Sequence, residues 1–366
     1  MGWNLYAKSK LAPVAGCGPS LGQLRLSGIA QIFLACSVFP LSYGIALIVS
    51  YKAHLLGLVD VPNVRSSHSQ PTPRGGGLAI FIAVTCGVWF WQVYTNTELV
   101  WRNALIGAAA VASIGLWDDV RSISAYLRLC VQAIAAVFLV LTFPGGSELQ
   151  LVTGISISGW SALVLSSVGV VCLINIFNFM DGIDGLAASE AVFVTGGGAL
   201  IILLCSGSPH SPVALVCLLI SAASLGFLLV NWPPARIFMG DVGSGFLGFA
   251  IAGVALWSLV EKLLSFWVWI ILGAVFIADA VVTFVRRLAR GENVVLAHRM
   301  HGYQRLARVW SSHRRVTLLA TSVNCIWLLP LAILAELKPL YAPMIAGIAV
   351  VPIGIAAWKL GAGLPE

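Results

Sequence analysis

Long apolar runs, each closed by a short polar segment, follow one another along almost the whole chain. A helix needs roughly 20 mainly apolar residues to cross a bilayer core, and several of the runs reach that length. The runs and their breakers predict about 11 spans. They are centred near residues 32–52, 77–95, 99–117, 126–143, 160–178, 186–205, 213–230, 243–259, 264–285, 316–335 and 340–358. The pattern predicts an all-α, polytopic transmembrane helical bundle, because a barrel would show short alternating segments.

The composition agrees with this pattern. Of the 366 residues, 59% are hydrophobic and only 10% are charged, and the mean hydropathy is +0.95. These values exclude a soluble enzyme built around one buried core. Residues 1–31 lack the apolar segment of a signal peptide, and we expect them to form a loose N-terminal tail. Residues 32–360 are expected to form a single integral-membrane domain with its site in the cytoplasmic loops.

The basic residues fix the predicted orientation. Lys and Arg are retained in cytoplasmic loops. If the first span runs from outside to inside, 15 of the 21 basic residues lie on one side of the membrane, against Arg102, Lys262 and Lys338 on the other side and three in the N-terminal tail. We therefore expect the N-terminus outside and the C-terminus in the cytoplasm.

With this topology, the chain's unusual polar residues fall on the cytoplasmic side. They are Asp118 and Asp119 after the third span, Asn175, Asn178, Asp181 and Asp184 around the end of the fifth, Asp241 after the seventh, and His298, Arg299 and His301 after the ninth. Acids and amides at a membrane edge are costly and are usually functional. The sequence therefore predicts chemistry at the cytoplasmic face.

Each motif also has a purely structural interpretation. Asp118 and Asp119 are equally well explained as a solvated helix end, although the helix dipole disfavours acids there and calls for compensation by Arg121, Arg128 or a divalent cation. The DGIDG string has the composition of a turn, but a turn does not explain Asn175 and Asn178 before it.

Two loops offer groups suited to phosphate. The proline-bounded segment 231–245 would give backbone N–H groups to an anion and the Asp241 oxygens to Mg²⁺, although a plain helix N-cap is the alternative. In the run AHRMHGYQR, His298, Arg299 and His301 are closely spaced donors. The alternative for this loop is a positive-inside anchor, and its Arg-rich, acid-poor surroundings argue against zinc.

Five strings in these loops carry a family resemblance. They are PNVRSSHSQPTPRGGGLAI, GLWDDVRS, NIFNFMDGIDGLAA, NWPPARIFMGDVGS and AHRMHGYQR. From about residue 57 to 304 the chain resembles the polyprenyl-phosphate N-acetylhexosamine-1-phosphate transferases, or glycosyltransferase family 4. The resemblance implies transfer of a sugar-1-phosphate from a UDP-sugar to undecaprenyl phosphate with release of UMP. It also implies Mg²⁺ as cofactor, with Mn²⁺ as the alternative.

The resemblance assigns roles by position. It implies catalytic roles for Asp118, Asp119, Asp181 and Asp184, substrate binding by Asn175, Asn178, Arg128, Asn231, Phe238, Arg299 and His301, and metal binding by Asp241 and Asn178. One of Asp118 and Asp119 is expected to take a proton from the lipid phosphate. Direct attack is preferred over a covalent aspartyl intermediate, because a phosphate monoester is already mostly ionised near neutral pH.

The histidine loop departs from the HxHH string of many members, because His301 is followed by Gly302, Tyr303 and Gln304. This form resembles the branch that initiates O-antigen or capsule chains, whose donors include 6-deoxy sugars such as UDP-N-acetylfucosamine. The resemblance places the protein in a bacterial inner membrane. The expected partners are the UDP-sugar, the polyprenyl phosphate and the bilayer, with no nucleic acid and with a homodimer left open.

A multispan transporter of a lipid-linked or anionic substrate is the alternative function. Transporters carry ionisable residues near the bilayer midplane, within interrupted helices. Asp279 is the one residue singled out for that position, while the other acids cluster at one edge. The transferase is therefore the preferred interpretation.

Overall fold

The fold is a bundle of helices with two small hairpins. The computed structural model describes residues 21–60, 71–95, 101–143, 148–152, 155–208, 211–294 and 298–365. The helices are α1 Leu21–Leu56, α2 Gly77–Thr95, α3 Trp101–Val120, α4 Ala125–Thr142, α5 Trp160–Met180, α6 Leu186–Cys205, α7 Pro212–Asn231, α8 Gly240–Val260, α9 Phe266–Leu272, α10 Ala274–Ala289, α11 Gly302–Trp310, α12 His313–Val323, α13 Leu329–Leu337 and α14 Ala342–Lys359. A π-helical turn at Asn324–Leu328 joins α12 to α13, and a 3₁₀ turn at Pro339–Tyr341 precedes α14.

The strands form two antiparallel pairs. β1 (Val59–Asp60) pairs with β2 (Thr72–Pro73), and β3 (Glu148–Val152) pairs with β4 (Ile155–Ser158). The first pair lies next to the start of α2, and the second packs against α5 and α8. Neither pair forms part of a larger sheet in the described residues.

The all-α, polytopic architecture is confirmed. Nine helices in the described residues are long and apolar enough to cross a membrane, and the number rises to ten if α9 and α10 count as one span. The prediction of about 11 spans exceeds this number because it counted α3 as a span. The predicted span 99–117 is a helix, but Arg102 and the Asp118–Asp119 pair give it a more polar sequence, and it is not among the candidate spans.

The start of the first helix and the shape of the ninth span also differ from the prediction. α1 begins at Leu21, inside the segment 1–31 that we predicted as a loose tail. Residues 1–20 of that tail lie outside the described residues. The predicted ninth span, 264–285, is bent by 80° where α9 and α10 meet at Gly273.

α8 is the central helix of the bundle. It is the most buried of the candidate spans and packs against α2, α3 and α5, with smaller contacts to α6 and α7. The outward surfaces of other helices carry exposed apolar side chains such as Phe33, Trp89 and Leu204. Helices with apolar outer surfaces are suited to lipid. Because other helices surround α8, its N-terminus, which carries Asp241, is enclosed within the bundle.

A buried polar pair joins α6 to the π-helical turn. Glu190 is 1% exposed, and its Oε2 accepts a hydrogen bond of 2.6 Å from the Asn324 amide. The π-helical turn carries Asn324 to this contact. The sequence analysis singled out Asp279 as an acid within the spans and did not identify Glu190.

The contact between α3 and α8 leads to a stability prediction. A Cβ at Gly115 would lie 2.5 Å from the Asp241 carbonyl oxygen, whereas a Cβ at Gly169 in α5 would meet nothing within 4 Å. We expect Gly115→Ala to lower the free energy of unfolding by about 1–3 kcal/mol, because backbone must move. Gly169→Ala, the matched control, should be neutral or stabilising by up to about 1 kcal/mol. Thermal unfolding in detergent checks both, and an equal midpoint for Gly115→Ala and wild type would contradict the packing.

Candidate active site

Three carboxylates and two arginines meet where α3 ends and α8 begins. Arg74 Nε lies 2.7 Å from Asp119 Oδ1, and Arg74 Nη2 lies 2.9 Å from Asp241 Oδ1. Arg128 Nη1 bridges Asp118 Oδ2 at 2.9 Å and Asp241 Oδ2 at 2.5 Å. We call these five residues the carboxylate–arginine cluster. The structure thus brings together the predicted residues Asp118, Asp119, Asp241 and Arg128, from three different helices.

Asp119 holds the N-terminus of α8. Its Oδ1 accepts a hydrogen bond of 2.8 Å from the Asp241 N–H, and its Oδ2 accepts one of 3.1 Å from the Val242 N–H. The first N–H groups of a helix lack intrahelical partners, and their dipole favours a negative charge. Burial nevertheless raises the pKa of Asp119 to about 7, because its side chain is 0% exposed. Asp119 therefore fixes the position of Asp241 relative to α3.

Asp118 points toward Arg128. Its Oδ1 accepts a hydrogen bond of 2.8 Å from the Ile123 N–H, and burial raises the pKa of Asp118 above its ordinary value. The predicted compensation of this acidic helix end by Arg128 is present, whereas Arg121 is exposed. The second compensating cation is Arg74, to which the sequence analysis gave no role.

Glycines let the Arg74 segment reach the cluster. The Gly76 and Gly77 N–H groups donate to the carbonyl oxygens of Phe238 and Met239 at 2.9 and 2.8 Å. A Cβ at Gly77 would collide with the backbone of Gly243 in α8. The signal for Arg74 was therefore its place directly before three glycines, which permit contact between the start of α2 and α8.

Asn178 and Asp181 leave oxygen atoms available at the edge of the cluster. The Asn178 amide nitrogen donates to Ser244 Oγ at 3.1 Å, which turns Oδ1 away from Ser244. Among the described residues, neither Asn178 Oδ1 nor the Asp181 carboxyl has a hydrogen-bond partner. Burial, with the nearby Asp241 carboxylate, raises the pKa of Asp181 well above its ordinary value. α5 ends at Met180, so Asp181 lies after the helix and does not share a helix face with Asn178.

Asp184 and Asn231 make structural contacts. Asp184 Oδ2 accepts from the Ala235 N–H at 3.1 Å, its Oδ1 lies 3.3 Å from His313 Nδ1, and its carbonyl accepts from Thr317 Oγ1 at 3.0 Å. Asn231 accepts from the Gly185 N–H and donates to the Ile237 carbonyl, each at 2.9 Å. Both residues tie loops together, so the geometry favours structural roles over the predicted catalytic and substrate-binding ones.

The remaining predicted residues are spread around the cluster. Asn175 in α5 donates to Gln132 Oε1 in α4 at 2.8 Å. Phe238 is half-buried, and its N–H donates to the Pro73 carbonyl at 2.8 Å. Arg299 is half-buried and is not among the described residues that line the neighbouring cavity.

The histidine loop folds back onto α10. Asp279 Oδ1 lies 3.1 Å from His301 Nδ1. The His298 and His301 rings stack at 4.9 Å between centroids. Burial, aided by the nearby His301 and Arg287, lowers the pKa of His298 to about 4, so this ring is neutral at pH 7. His298, one of the predicted phosphate-binding donors, lines the cavity together with Arg287, which had no predicted role.

A cavity of about 400 Å³ joins the cluster to the histidine loop. Its polar lining comprises Arg128, Gln132, Asn175, Asn178, Asp241, Thr283, Arg287, His298 and His301. The rest is mainly apolar and comes from α3, α4, α5 and α10, with side chains such as Val111, Leu129, Val171 and Phe284. Such a cavity suits an amphipathic ligand with an anionic head and an apolar tail.

The described residues contain no group of three His, Cys, Asp or Glu side chains able to hold a metal alone. Mg²⁺ needs fewer protein ligands when substrate phosphates and water complete its shell. Each Asp241 oxygen accepts one arginine N–H and keeps a second lone pair, and Asn178 Oδ1 has no described protein partner. These oxygens fit Mg²⁺ shared with a phosphate ligand.

The chain is similar to known proteins along most of its length. The model of glycosyl transferase family 4 matches residues 101–259, which include all of the cluster except Arg74. A probable undecaprenyl-phosphate N-acetylglucosaminyl 1-phosphate transferase of Bacillus subtilis (strain 168) is 33% identical over 287 residues, covering 76% of this chain and 78% of the relative. A decaprenyl-phosphate N-acetylglucosaminephosphotransferase of Mycobacterium tuberculosis (strain H37Rv) is 30% identical over 362 residues, covering 87% and 86%.

The different environments of Asp181 and Asp184 lead to a prediction. Asp184→Ala removes hydrogen bonds between loops and should lower the free energy of unfolding by about 1–3 kcal/mol. Asp181→Ala should leave the thermal midpoint unchanged or raise it, because a half-buried carboxyl without a donor opposes folding. Unfolding of both variants in the same detergent provides the measurement. A larger loss for Asp181→Ala than for Asp184→Ala would contradict these assignments.

Proposed function

The chain belongs to glycosyl transferase family 4, and on this premise we propose that it transfers an N-acetylhexosamine-1-phosphate from a UDP-sugar to a polyprenyl phosphate. The products are a polyprenyl-pyrophosphoryl sugar and UMP. The relatives are named as transferases of N-acetylglucosamine phosphate to undecaprenyl or decaprenyl phosphate. Their coverage of most of this chain supports the same reaction class here.

The cavity is the single observation that carries the proposal. Its apolar walls open among α3, α4, α5 and α10, while its polar end includes Arg128, Arg287 and His301. A polyprenyl phosphate has a long apolar chain and an anionic head, so one ligand satisfies both parts of the cavity. In this pose the head lies beside Asp241 and Arg128, where the second substrate must also react.

The reaction joins two anions, so their repulsion must be offset. An oxygen of the acceptor phosphate forms a bond to the β-phosphorus of the UDP-sugar as the bond from that phosphorus to the UMP oxygen breaks. Arg128, Arg287 and His301 supply cationic and hydrogen-bonding groups to the phosphates. Asp241 and Asn178 would hold Mg²⁺, which would neutralise further phosphate charge when bound.

The two acids of the DD pair take different roles in this proposal. Asp119 is 0% exposed and already accepts from two backbone N–H groups and Arg74, so it orients Asp241 without touching substrate. Asp118 is 13% exposed and orients Arg128, which lines the cavity. This division supports direct attack by the acceptor phosphate over a covalent aspartyl intermediate.

The donor occupies the side of the cluster nearest the α5–α6 loop. Asp181 has a carboxyl without a described partner there, which suits a sugar or nucleotide hydroxyl. We assign Phe238 as the stacking partner of uracil and place Arg299 beside the donor pyrophosphate. Both assignments rest on the family resemblance of their strings.

For the donor sugar, two lines of argument differ. The relatives' names favour N-acetylglucosamine, whereas the MHGYQR ending of the histidine loop resembles the O-antigen-initiating branch with its 6-deoxy donors. We keep a UDP-N-acetylhexosamine as the proposed donor and the start of a surface polysaccharide as the proposed pathway. The proposed location is the bacterial inner membrane with the site facing the cytoplasm, from the distribution of basic residues.

UMP release from purified protein tests the proposed function. With a UDP-N-acetylhexosamine, polyprenyl phosphate and Mg²⁺, we expect UMP to appear with the lipid product, and chelation by EDTA to stop it. Asp241→Ala and Asp119→Asn should each lower turnover by at least about 100-fold, because the first removes a metal ligand and the second displaces it. Glu261→Gln, a carboxylate change at the far end of α8, serves as the matched control and should keep wild-type turnover.

Absence of UMP with every UDP-N-acetylhexosamine would refute the transferase. Full activity of both Asp241→Ala and Asp119→Asn would refute the role of the cluster.

A donor screen tests the sugar. We expect kcat/KM to differ by at least about 10-fold among UDP-N-acetylglucosamine, UDP-N-acetylgalactosamine and their 6-deoxy analogues. A site that hydrogen-bonds a sugar hydroxyl loses binding energy when the donor lacks that hydroxyl. Mass spectrometry of the lipid product identifies the accepted sugar. Preference for a 6-deoxy donor supports the 6-deoxy expectation from the histidine loop, whereas preference for N-acetylglucosamine contradicts that expectation.

A further inference from the structure

Asp279 receives an unusual number of hydrogen bonds. Its carboxylate accepts from the N–H groups of Gly302 and Tyr303 at 3.0 and 2.9 Å, and from Thr283 Oγ1 at 3.1 Å. Its Oδ1 also lies 3.1 Å from His301 Nδ1. Gly302 and Tyr303 begin α11, so the carboxylate also faces the positive end of a helix dipole. Donors on both oxygens favour the ionised carboxylate.

This arrangement determines the tautomer of His301. An ionised carboxylate only accepts hydrogen bonds, so the proton must lie on Nδ1 of the imidazole. His301 is 2% exposed, and its Nε2 is buried without a hydrogen-bond partner among the residues that the structure describes. The ring lines the cavity together with Arg128 and Asp241. The ring that carries this acceptor nitrogen without a described partner therefore lies at the polar end of that cavity.

We propose that Asp279 is a positioning residue that holds His301 in the Nδ1–H tautomer, so that Nε2 accepts a hydrogen bond and then the proton from the acceptor phosphate. This inference rests on the proposed function. In the monoanionic fraction of the acceptor, one phosphate oxygen carries this proton, which His301 accepts in place of Asp118 or Asp119. As another oxygen of the same phosphate bonds to the β-phosphorus and the bond to UMP breaks, the proton passes to Nε2. The Asp279 carboxylate balances the imidazolium, and UMP leaves with the electron pair of the broken bond.

The other charged and titratable groups around His301 are consistent with this role. His298 stacks on the ring and is neutral at pH 7, because burial and neighbouring cations lower its pKa to about 4. Tyr303 donates its hydroxyl hydrogen bond to the Phe179 carbonyl at 2.8 Å and is uncharged. Arg287 is tied to Glu292 by a 2.9 Å ion pair. Among the described neighbours, Asp279 is thus the one carboxylate that contacts the imidazole.

Spectroscopy of the full-length protein tests the position of the proton directly. In protein labelled with ¹⁵N-histidine, the His301 signal is the one that disappears in His301→Gln. At alkaline pH, we expect the His301 proton on Nδ1 in wild type and on Nε2 in Asp279→Asn, because the Asn amide donates to Nδ1. A wild-type proton on Nε2, or an unchanged signal in Asp279→Asn, would overturn the proposal. If Asp279→Asn does not fold, the wild-type measurement alone decides the proposal.

UMP release provides the second test. We expect Asp279→Asn and His301→Gln each to lower kcat by about 100-fold with little change in the KM for polyprenyl phosphate. The double variant should be no worse than either single one, and multiplied losses would overturn the proposal, as would a wild-type kcat in Asp279→Asn.

Glu336→Gln is the matched control, because Glu336 also accepts from a backbone N–H, that of Ser265 at 3.0 Å, and it should keep wild-type kcat. Absence of UMP from wild type would refute the proposed function, while the tautomer measurement would still test the Asp279–His301 pair separately.

Discussion

The structure around the site depends on the contact between the Asp119 carboxylate and the first N–H groups of α8. This contact joins the end of α3 to the start of the most buried helix and sets the position of Asp241. It is available because α8 has unpaired N–H groups at its start and because Gly115 allows the two backbones to approach. Arg74 and Arg128 then balance three acids that would otherwise repel one another in a poorly solvated place.

The same contact places the candidate active site at the ends of helices and not in their middle. The cluster forms where helices end, so cations, amides and a cavity with apolar walls meet at one level of the bundle. An acceptor with a lipid chain does not need to leave the bilayer, and a water-soluble donor does not need to enter it. The bend between α9 and α10 precedes Asp279, whose partner loop folds back from beyond the end of α10 toward the cavity.

Most of the architecture could be predicted because apolar runs and polar breakers report directly on membrane-spanning helices. α3 was the exception, since its ends are polar and its burial depends on neighbours such as α8. The acids of the cluster were found because charge is rare in this chain. Arg74 and Arg287 were given no role because basic residues are common in cytoplasmic loops, so neither stood out. The roles of Asp184 and Asn231 could not be separated from that of Asp181, because a loop-to-loop hydrogen bond depends on the three-dimensional path of the chain.

The central claim is that the cavity among α3, α4, α5 and α10 holds the acceptor lipid with its phosphate at the carboxylate–arginine cluster. The most direct measurement is photo-crosslinking with a polyprenyl phosphate that carries a diazirine on its first isoprene unit, in membrane vesicles, followed by peptide mapping. The account predicts adducts on cavity residues such as Leu129, Val171 and Ala280, suppressed by excess unlabelled polyprenyl phosphate. Competed adducts on the outer surfaces of α1 or α14, with none in the cavity, would contradict it.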